Sequence, residues 1–154
     1  DVHHGNGSQD AFYSDPTVFF LSLHQWPHYP GSGAADERGK GAGEGHTLNV
    51  PLPAGTPRDE YRAHFERAVD EAASLSRPDF VLVSSGFDVM AGDPLGGMLL
   101  EPEDLHAMTR YLMDGCAGEC DGRMLVLLEG GYDPKRLGDG TVAVVRALAG
   151  LPPA

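Results

Sequence analysis

The stretch FVLVSSGFD, residues 80–88, decides the fold class of this sequence. Its first five residues form a short run rich in branched and aromatic side chains, which is typical of a strand buried on both faces of a parallel sheet. A glycine and an aspartate follow, at the strand end where α/β proteins bind their ligands. We therefore predict a buried strand over 80–84, with Asp88 just beyond its carboxyl end.

Similar apolar runs alternate with segments of helical periodicity along the rest of the chain. Strands are predicted over 18–23, 48–50 and 124–128, and helices over 57–75, 102 to about 115 and 134 to about 149. This alternation predicts an α/β fold with a mostly parallel sheet flanked by helices. Since so few strands are visible, we expect the first strands of the sheet to be missing, so that residues 1–154 form the C-terminal part of a single domain.

Composition narrows the function classes further. The chain has 154 residues, with 11 Lys+Arg against 23 Asp+Glu, which gives a formal charge of −12. Such an acidic surface disfavours the binding of nucleic acid and permits the binding of a cationic substrate. With neither a signal sequence nor an apolar run long enough to span a membrane, we expect a cytoplasmic protein without membrane partners. Cys116 and Cys120 are interpreted as packing groups.

Three polar side chains suggest a metal site. Asp1 and His3 are two residues apart, so in an extended segment both point to one side of the backbone. Asp88 emerges from the end of a predicted strand. Two carboxylates and one imidazole can hold a divalent cation and leave a position open for water and substrate. Asp88 could instead simply cap the turn that follows it.

A second constellation follows the strand predicted over 124–128. Gly130 and Gly131 allow the backbone to approach a ligand closely, and Tyr132 comes directly after them. A phenol in this place can donate a hydrogen bond to an oxyanion without carrying charge. The alternative is an aromatic ring that packs on the sheet edge.

Taken together, four motifs resemble those of one enzyme family. They are DVHHGNG (1–7), SLH (22–24), GFDVMAGDPLGG (86–97) and LEGGY (128–132). Their order and sequence resemble the histone deacetylase superfamily, nearest to its class II and bacterial acetylpolyamine amidohydrolase-like branch. The resemblance covers essentially the whole chain. It implies an arginase/deacetylase-like three-layer fold and the C-terminal part of a deacetylase-like catalytic domain.

The resemblance also implies an activity and a set of site residues. The activity is zinc-dependent hydrolysis of an N-acetylated amine, acetyl-lysine or acetylpolyamine, with release of acetate; ferrous iron is the alternative metal. A structural potassium ion is implied beside the zinc. By similarity, the zinc ligands are Asp1, His3 and Asp88, the catalytic residue is Tyr132, the substrate contacts are Tyr29, Leu95, Gly130 and Gly131, and the potassium ligands are Asp1, His3, Ser22 and Leu23.

One expected element of the family pattern is absent from the sequence. The tandem His-His pair that serves the family as general base lies upstream of the Asp-x-His motif, and His3-His4 is already used by the zinc motif. We therefore expect this chain to lack the general base and to be inactive without the missing N-terminal part of the domain.

Two other functions remain as alternatives. A ureohydrolase of the arginase kind would hold two manganese ions and needs more acidic ligands, whereas Gly5 and Met90 stand where those would be expected. A non-catalytic fragment that binds acetylated ligands, or that has a structural role, is the second alternative. The residues upstream of Asp1 would discriminate between enzyme and binding module.

Overall fold

Helices and strands alternate along the chain, as the sequence predicts. A computed structural model describes residues 1–154, apart from the side chain of Cys116. A short 3₁₀ turn at Gly41–Gly43 interrupts the connection between the first two strands. The strands are β1 (Phe20–Gln25), β2 (Thr47–Leu52), β3 (Val81–Ser85) and β4 (Met124–Leu128), and the helices are α1 (Asn6–Phe12), α2 (Arg58–Ser76), α3 (Pro102–Glu119) and α4 (Pro134–Leu148).

The strands form two parallel pairs, which confirms the α/β class. β1 pairs with β2, with Phe20 opposite Thr47, and β3 pairs with β4, with Val81 opposite Met124. Within the described residues these are two separate two-stranded sheets rather than one sheet. Each parallel pair needs a long crossover connection, which α3 supplies between β3 and β4. β1 starts two residues later than the sequence predicts.

The expectation that β3 and β4 are buried on both faces is wrong for this chain. Leu82 is 67% exposed, and Leu125 and Leu127 on the same face of the pair are also exposed. The physical reason is incomplete cover: on the opposite face Val126 packs against the hydrophobic core, and Leu128, which lines a groove together with Val144 of α4, is itself 59% exposed. An uncovered apolar face therefore runs along the β3–β4 pair.

The hydrophobic core lies beside the carboxyl ends of the strands. α4 presents Val144 to this core, and its first turn is capped by Asp133, whose carboxylate accepts hydrogen bonds from the backbone amides of Lys135 and Arg136. Such a cap supports the start of α4 that the sequence predicts. The core residues are Val2, Leu52, Tyr61, Phe87, Val89, Met90, Met98, Leu100, Leu105 and Val144.

Of the two cysteines, which were interpreted as packing groups, the structure describes the side chain of Cys120. Cys120 is fully buried just beyond α3. The side chain of Cys116 lies outside the described residues.

Among the helices that the structure describes, none has both the length and the apolar character needed to cross a bilayer.

The connection from β1 to β2 contains a cluster of partly buried polar contacts. The Glu37 carboxylate accepts the backbone amides of Gly33 and Ala34, both at 3.0 Å, and the Gln9 side-chain amide at 2.5 Å. Gly33 has a φ of +95°, and a side chain there would overlap the rings of His4 and His24. These contacts join the long connection to α1 through Gln9 and bring it against His24 of β1.

Candidate metal centre

The centre forms where the segment 1–3 lies between the ends of β1 and β3. The backbone carbonyl of Val2 accepts the Gln25 amide at the end of β1, at 2.9 Å. The Val2 amide donates to Asp88 Oδ1 at 2.7 Å. These two contacts place Asp1 and His3 next to Asp88, although 85 or more positions separate them in sequence.

Asp1 is fixed by backbone amides from two directions. The His3 amide donates to Asp1 Oδ1 at 2.7 Å, and the Gly130 amide, just after β4, donates to Asp1 Oδ2 at 2.9 Å. Both bonds stabilise the charged carboxylate. The ends of β3 and β4 therefore contribute jointly to one site.

The three side chains present their ligand atoms to one another. His3 Nδ1 lies 3.0 Å from Asp1 Oδ1 and 3.2 Å from Asp88 Oδ2, and the three ligand atoms lie within 4.8 Å of each other. Donors that share a tetrahedral zinc at about 2.1 Å are about 3.4 Å apart. The two distances from His3 to the carboxylates are close to that value.

Asp88 carries the clearest sign of a cation. Its side chain is 0% exposed, and Oδ2 accepts no hydrogen bond from the described residues. A buried carboxylate oxygen without a partner is costly unless a cation or a proton compensates it. The donor set of two carboxylates and one imidazole therefore suits a divalent metal such as zinc.

Gly130 leaves the space that such an ion needs. A methyl group at this position would overlap the Oδ2 atoms of both Asp88 and Asp1. The residue was predicted to contact substrate, and the structure places it beside the carboxylates. At Gly131, a side chain would instead point toward Leu137 and Phe87.

An open cleft leads to this cluster. Tyr29 and Leu95, predicted as channel walls, and Tyr132, predicted as the catalytic phenol, lie at the cleft together with His3. Tyr132 is 50% exposed and lines the cleft. The structure thus brings together the predicted metal, catalytic and wall residues. His28, which was not predicted to have a role, is the fifth lining residue.

Asp93 is a second residue that sequence reasoning missed. It is buried, and its carboxylate accepts the Leu95 amide at 2.8 Å and the Tyr132 amide at 2.7 Å. It thereby joins two walls of the cleft. The local signal was an aspartate followed by proline in a turn, where aspartates often bond the amide two residues on. Its link to Tyr132 had no signal in the sequence.

The residues proposed to bind potassium lie on and beside β1. Ser22 Oγ is 3.0 Å from His24 Nδ1, while His24 Nε2 is 2.9 Å from the Gly33 carbonyl. Burial lowers the pKa of His24 to about 4, so the ring is neutral at pH 7. Because a carbonyl only accepts, Nε2 carries the hydrogen and Nδ1 accepts from Ser22. The lone pairs of Ser22 Oγ therefore remain available to a cation.

The arginase alternative finds no added support. Gly5 is exposed and Met90 is fully buried. Within the part of the chain that the structure describes, one group of three or more potential ligand residues is found. A second metal would need further ligands from elsewhere.

Comparison with known proteins shows the family. A sequence model described as the histone deacetylase domain matches residues 1–148, and this chain belongs to that family. It is 43% identical over 152 residues to "Histone deacetylase 10, chloroplastic" of Oryza sativa subsp. japonica, covering 99% of this chain and 34% of the relative. It is 37% identical over 152 residues to a "Probable deacetylase" of Archaeoglobus fulgidus, covering 98% of this chain and 42% of that protein.

A solved structure confirms the fold. The histone deacetylase Clr3 superimposes with a TM-score of 0.91 and 41% identity, covering 100% of this chain and 26% of the Clr3 chain. This chain thus spans between about a quarter and two fifths of the length of these three proteins.

Proposed function

We propose that the full-length protein hydrolyses an N-acetylated amine, acetyl-lysine or acetylpolyamine, and releases acetate. The proposal includes one zinc ion held by Asp1, His3 and Asp88, with ferrous iron as the alternative metal. The observation that carries it is the fully buried Asp88 Oδ2, which has no hydrogen-bond donor and lies 3.2 Å from His3 Nδ1. A zinc ion bound there would polarise the acetyl carbonyl and lower the pKa of a water molecule.

The residues of the cleft would perform the remaining steps. The Tyr132 hydroxyl donates a hydrogen bond to the oxygen of the acetyl group, where negative charge develops in the transition state. Asp93 holds the Tyr132 backbone, which limits the movement of this donor. Tyr29 and Leu95 flank the apolar stem of the amine. Uncharged walls suit methylene groups, which gain from leaving water.

The cationic end of the substrate would remain outside the cleft. A formal charge of −12 favours an amine or a lysine-rich peptide over a nucleic acid. A cytoplasmic location, and the lack of nucleic-acid and membrane partners, stay predictions.

We propose further that the missing N-terminal part of the domain supplies the general base and covers the exposed face of the β3–β4 pair. The support is the exposure of Leu82, Leu125 and Leu127, since solvent-exposed apolar faces of this kind are typical of an interface. The length of the relatives also supports it, because this chain covers 34% of the rice protein. The chain alone is therefore expected to be inactive.

A structural potassium ion is proposed beside the zinc, bound by Asp1, His3, Ser22 and Leu23. Its support is the Ser22 hydroxyl, whose hydrogen is directed to His24 Nδ1 and whose lone pairs are therefore free. Oxygen ligands are the type that such a hard cation prefers.

The test is a fluorogenic acetyl-lysine assay on the full-length protein, combined with elemental analysis. We expect about one zinc per chain, and Tyr132→Phe should lower kcat by about 100-fold or more while zinc is retained. The matched control is Tyr111→Phe, since the Tyr111 hydroxyl donates to Asp70 on α2, away from the cleft. This variant should keep full activity.

Other outcomes would contradict the proposal. Two manganese ions per chain would favour a ureohydrolase. Binding of an acetylated ligand without turnover would favour a binding module. Unchanged kcat in Tyr132→Phe would remove the role given to the phenol.

A further inference from the structure

His28 connects two walls of the cleft that come from distant parts of the sequence. Its Nε2 lies 3.0 Å from the carbonyl oxygen of Leu95, 67 positions away. On the other side of this residue, the Leu95 amide donates to Asp93 Oδ1 at 2.8 Å. Both backbone polar groups of Leu95 are therefore held, one by a neighbour in its own turn and one by His28.

The same ring also packs against the metal-site imidazole. The rings of His28 and His3 are stacked, with centroids 5.1 Å apart and an interplanar angle of 17°. Tyr29 contacts His3 edge-on, with centroids 6.0 Å apart. His3 Nδ1 points to the two carboxylates, so the stack limits rotation of the ring that presents this atom.

The two contacts of His28 need different properties of the side chain. A carbonyl oxygen only accepts, so Nε2 must carry the hydrogen, and this holds whether or not the ring is charged. The stack needs a flat ring but no donor. A phenylalanine would keep the flat ring and lose the donor. A glutamine would keep a donor and lose the ring.

We propose that His28 is a positioning residue that holds Leu95 at the width suited to an amine stem and braces His3 in the orientation that binds the metal. Its influence on catalysis rests on the proposed function; its control of the Leu95 turn does not. In this role His28 acts through Leu95 and His3, and it is proposed neither as a metal ligand nor as a catalytic residue.

The experiment compares His28→Phe, His28→Gln and His28→Ala in the full-length protein. Measured are KM and kcat for an acetyl-lysine substrate, zinc affinity by chelator competition, and amide hydrogen exchange of residues 93–97. We expect His28→Phe to raise KM by about 3- to 10-fold, as for one lost hydrogen bond, with zinc affinity and kcat near wild type.

The other two variants separate the contact of His28 with Leu95 from its stacking on His3. His28→Gln should keep KM within about 2-fold and weaken zinc binding by about 10-fold, a typical effect of losing a residue that orients a metal ligand. His28→Ala should show both defects. The control is His64→Phe on α2, where His64 contacts Glu60 and Arg67 away from the cleft. It should change nothing.

Hydrogen exchange separates this inference from the proposed function. Faster exchange at 93–97 in His28→Phe and His28→Ala, but not in His28→Gln, would support the contact with Leu95 even in a protein without deacetylase activity. Wild-type exchange in all three variants would overturn the contact with Leu95. In an active enzyme, KM and zinc affinity unchanged in His28→Ala would overturn the positioning role.

Discussion

Replacing Gly130 by alanine should remove tight metal binding while leaving the fold intact. Gly130 follows β4, and its amide donates to Asp1 Oδ2 at 2.9 Å. An added methyl group would overlap Oδ2 of Asp1 and Oδ2 of Asp88. The backbone at this position does not need glycine for its φ value, since only a positive φ would exclude alanine. The effect is therefore directed at the carboxylates.

The expected magnitude follows from the geometry. A carbon and an oxygen in van der Waals contact are more than 3 Å apart, so the two carboxylates must move by roughly 1 Å to accommodate the methyl group. Zinc–oxygen bonds are about 2.0–2.2 Å long and tolerate about 0.2 Å of error. We expect zinc affinity to fall by at least about 100-fold, which equals about 2.8 kcal/mol.

The assay is chelator competition on the full-length protein, together with circular dichroism to confirm folding. Gly138→Ala is the matched control, because nothing lies within 4 Å of a methyl group at that position on α4. It should bind zinc normally and be slightly more stable, by about 0.5–1 kcal/mol, as alanine is favoured over glycine in helices. A folded Gly130→Ala variant with wild-type zinc affinity would refute the assigned metal position.

Three further predictions concern stability, measured by urea denaturation of the full-length protein. Met90 is fully buried, so Met90→Ala should lower the free energy of unfolding by about 2–5 kcal/mol, and a change below 1 kcal/mol would contradict its place in the core. Asp104 is buried and pairs with Arg58 and Arg62, whose side chains are nearly half exposed, so Asp104→Ala should cost about 1–3 kcal/mol; a neutral result would rule out this network. Burial lowers the pKa of His24 to about 4, against about 6.5 in an unfolded chain. The unfolded state therefore binds more protons between these values, and stability should fall by about 1–2 kcal/mol from pH 7 to pH 5, more than in His24→Gln.

Local sequence signals located most of the secondary structure. α4 is predicted over 134 to about 149 and observed at Pro134–Leu148, because Asp133 and Pro134 form a cap within a few residues of the helix start. The helix predicted from 102 to about 115 extends further, to Glu119, since Gly115 does not end it. Short-range hydrogen bonding and apolar periodicity are sufficient for these assignments.

The covering of the strands could not be inferred in the same way. The apolar runs of β3 and β4 have the composition of fully buried strands, yet Leu82 is exposed. Composition reflects the environment for which a strand is suited, whereas exposure depends on which other elements lie against it.

By itself, the sequence determined the alternation of strands and helices, the strand ends at which Asp88 and Gly130 stand, and the types of ligand atom available. Each of these depends on neighbours within a few residues. Only the tertiary structure decided that His3 Nδ1 meets Asp88 Oδ2 and that His28 reaches the Leu95 carbonyl. These contacts join residues 67 or more positions apart, and their geometry is set by how the strand ends pack together, which no local pattern encodes.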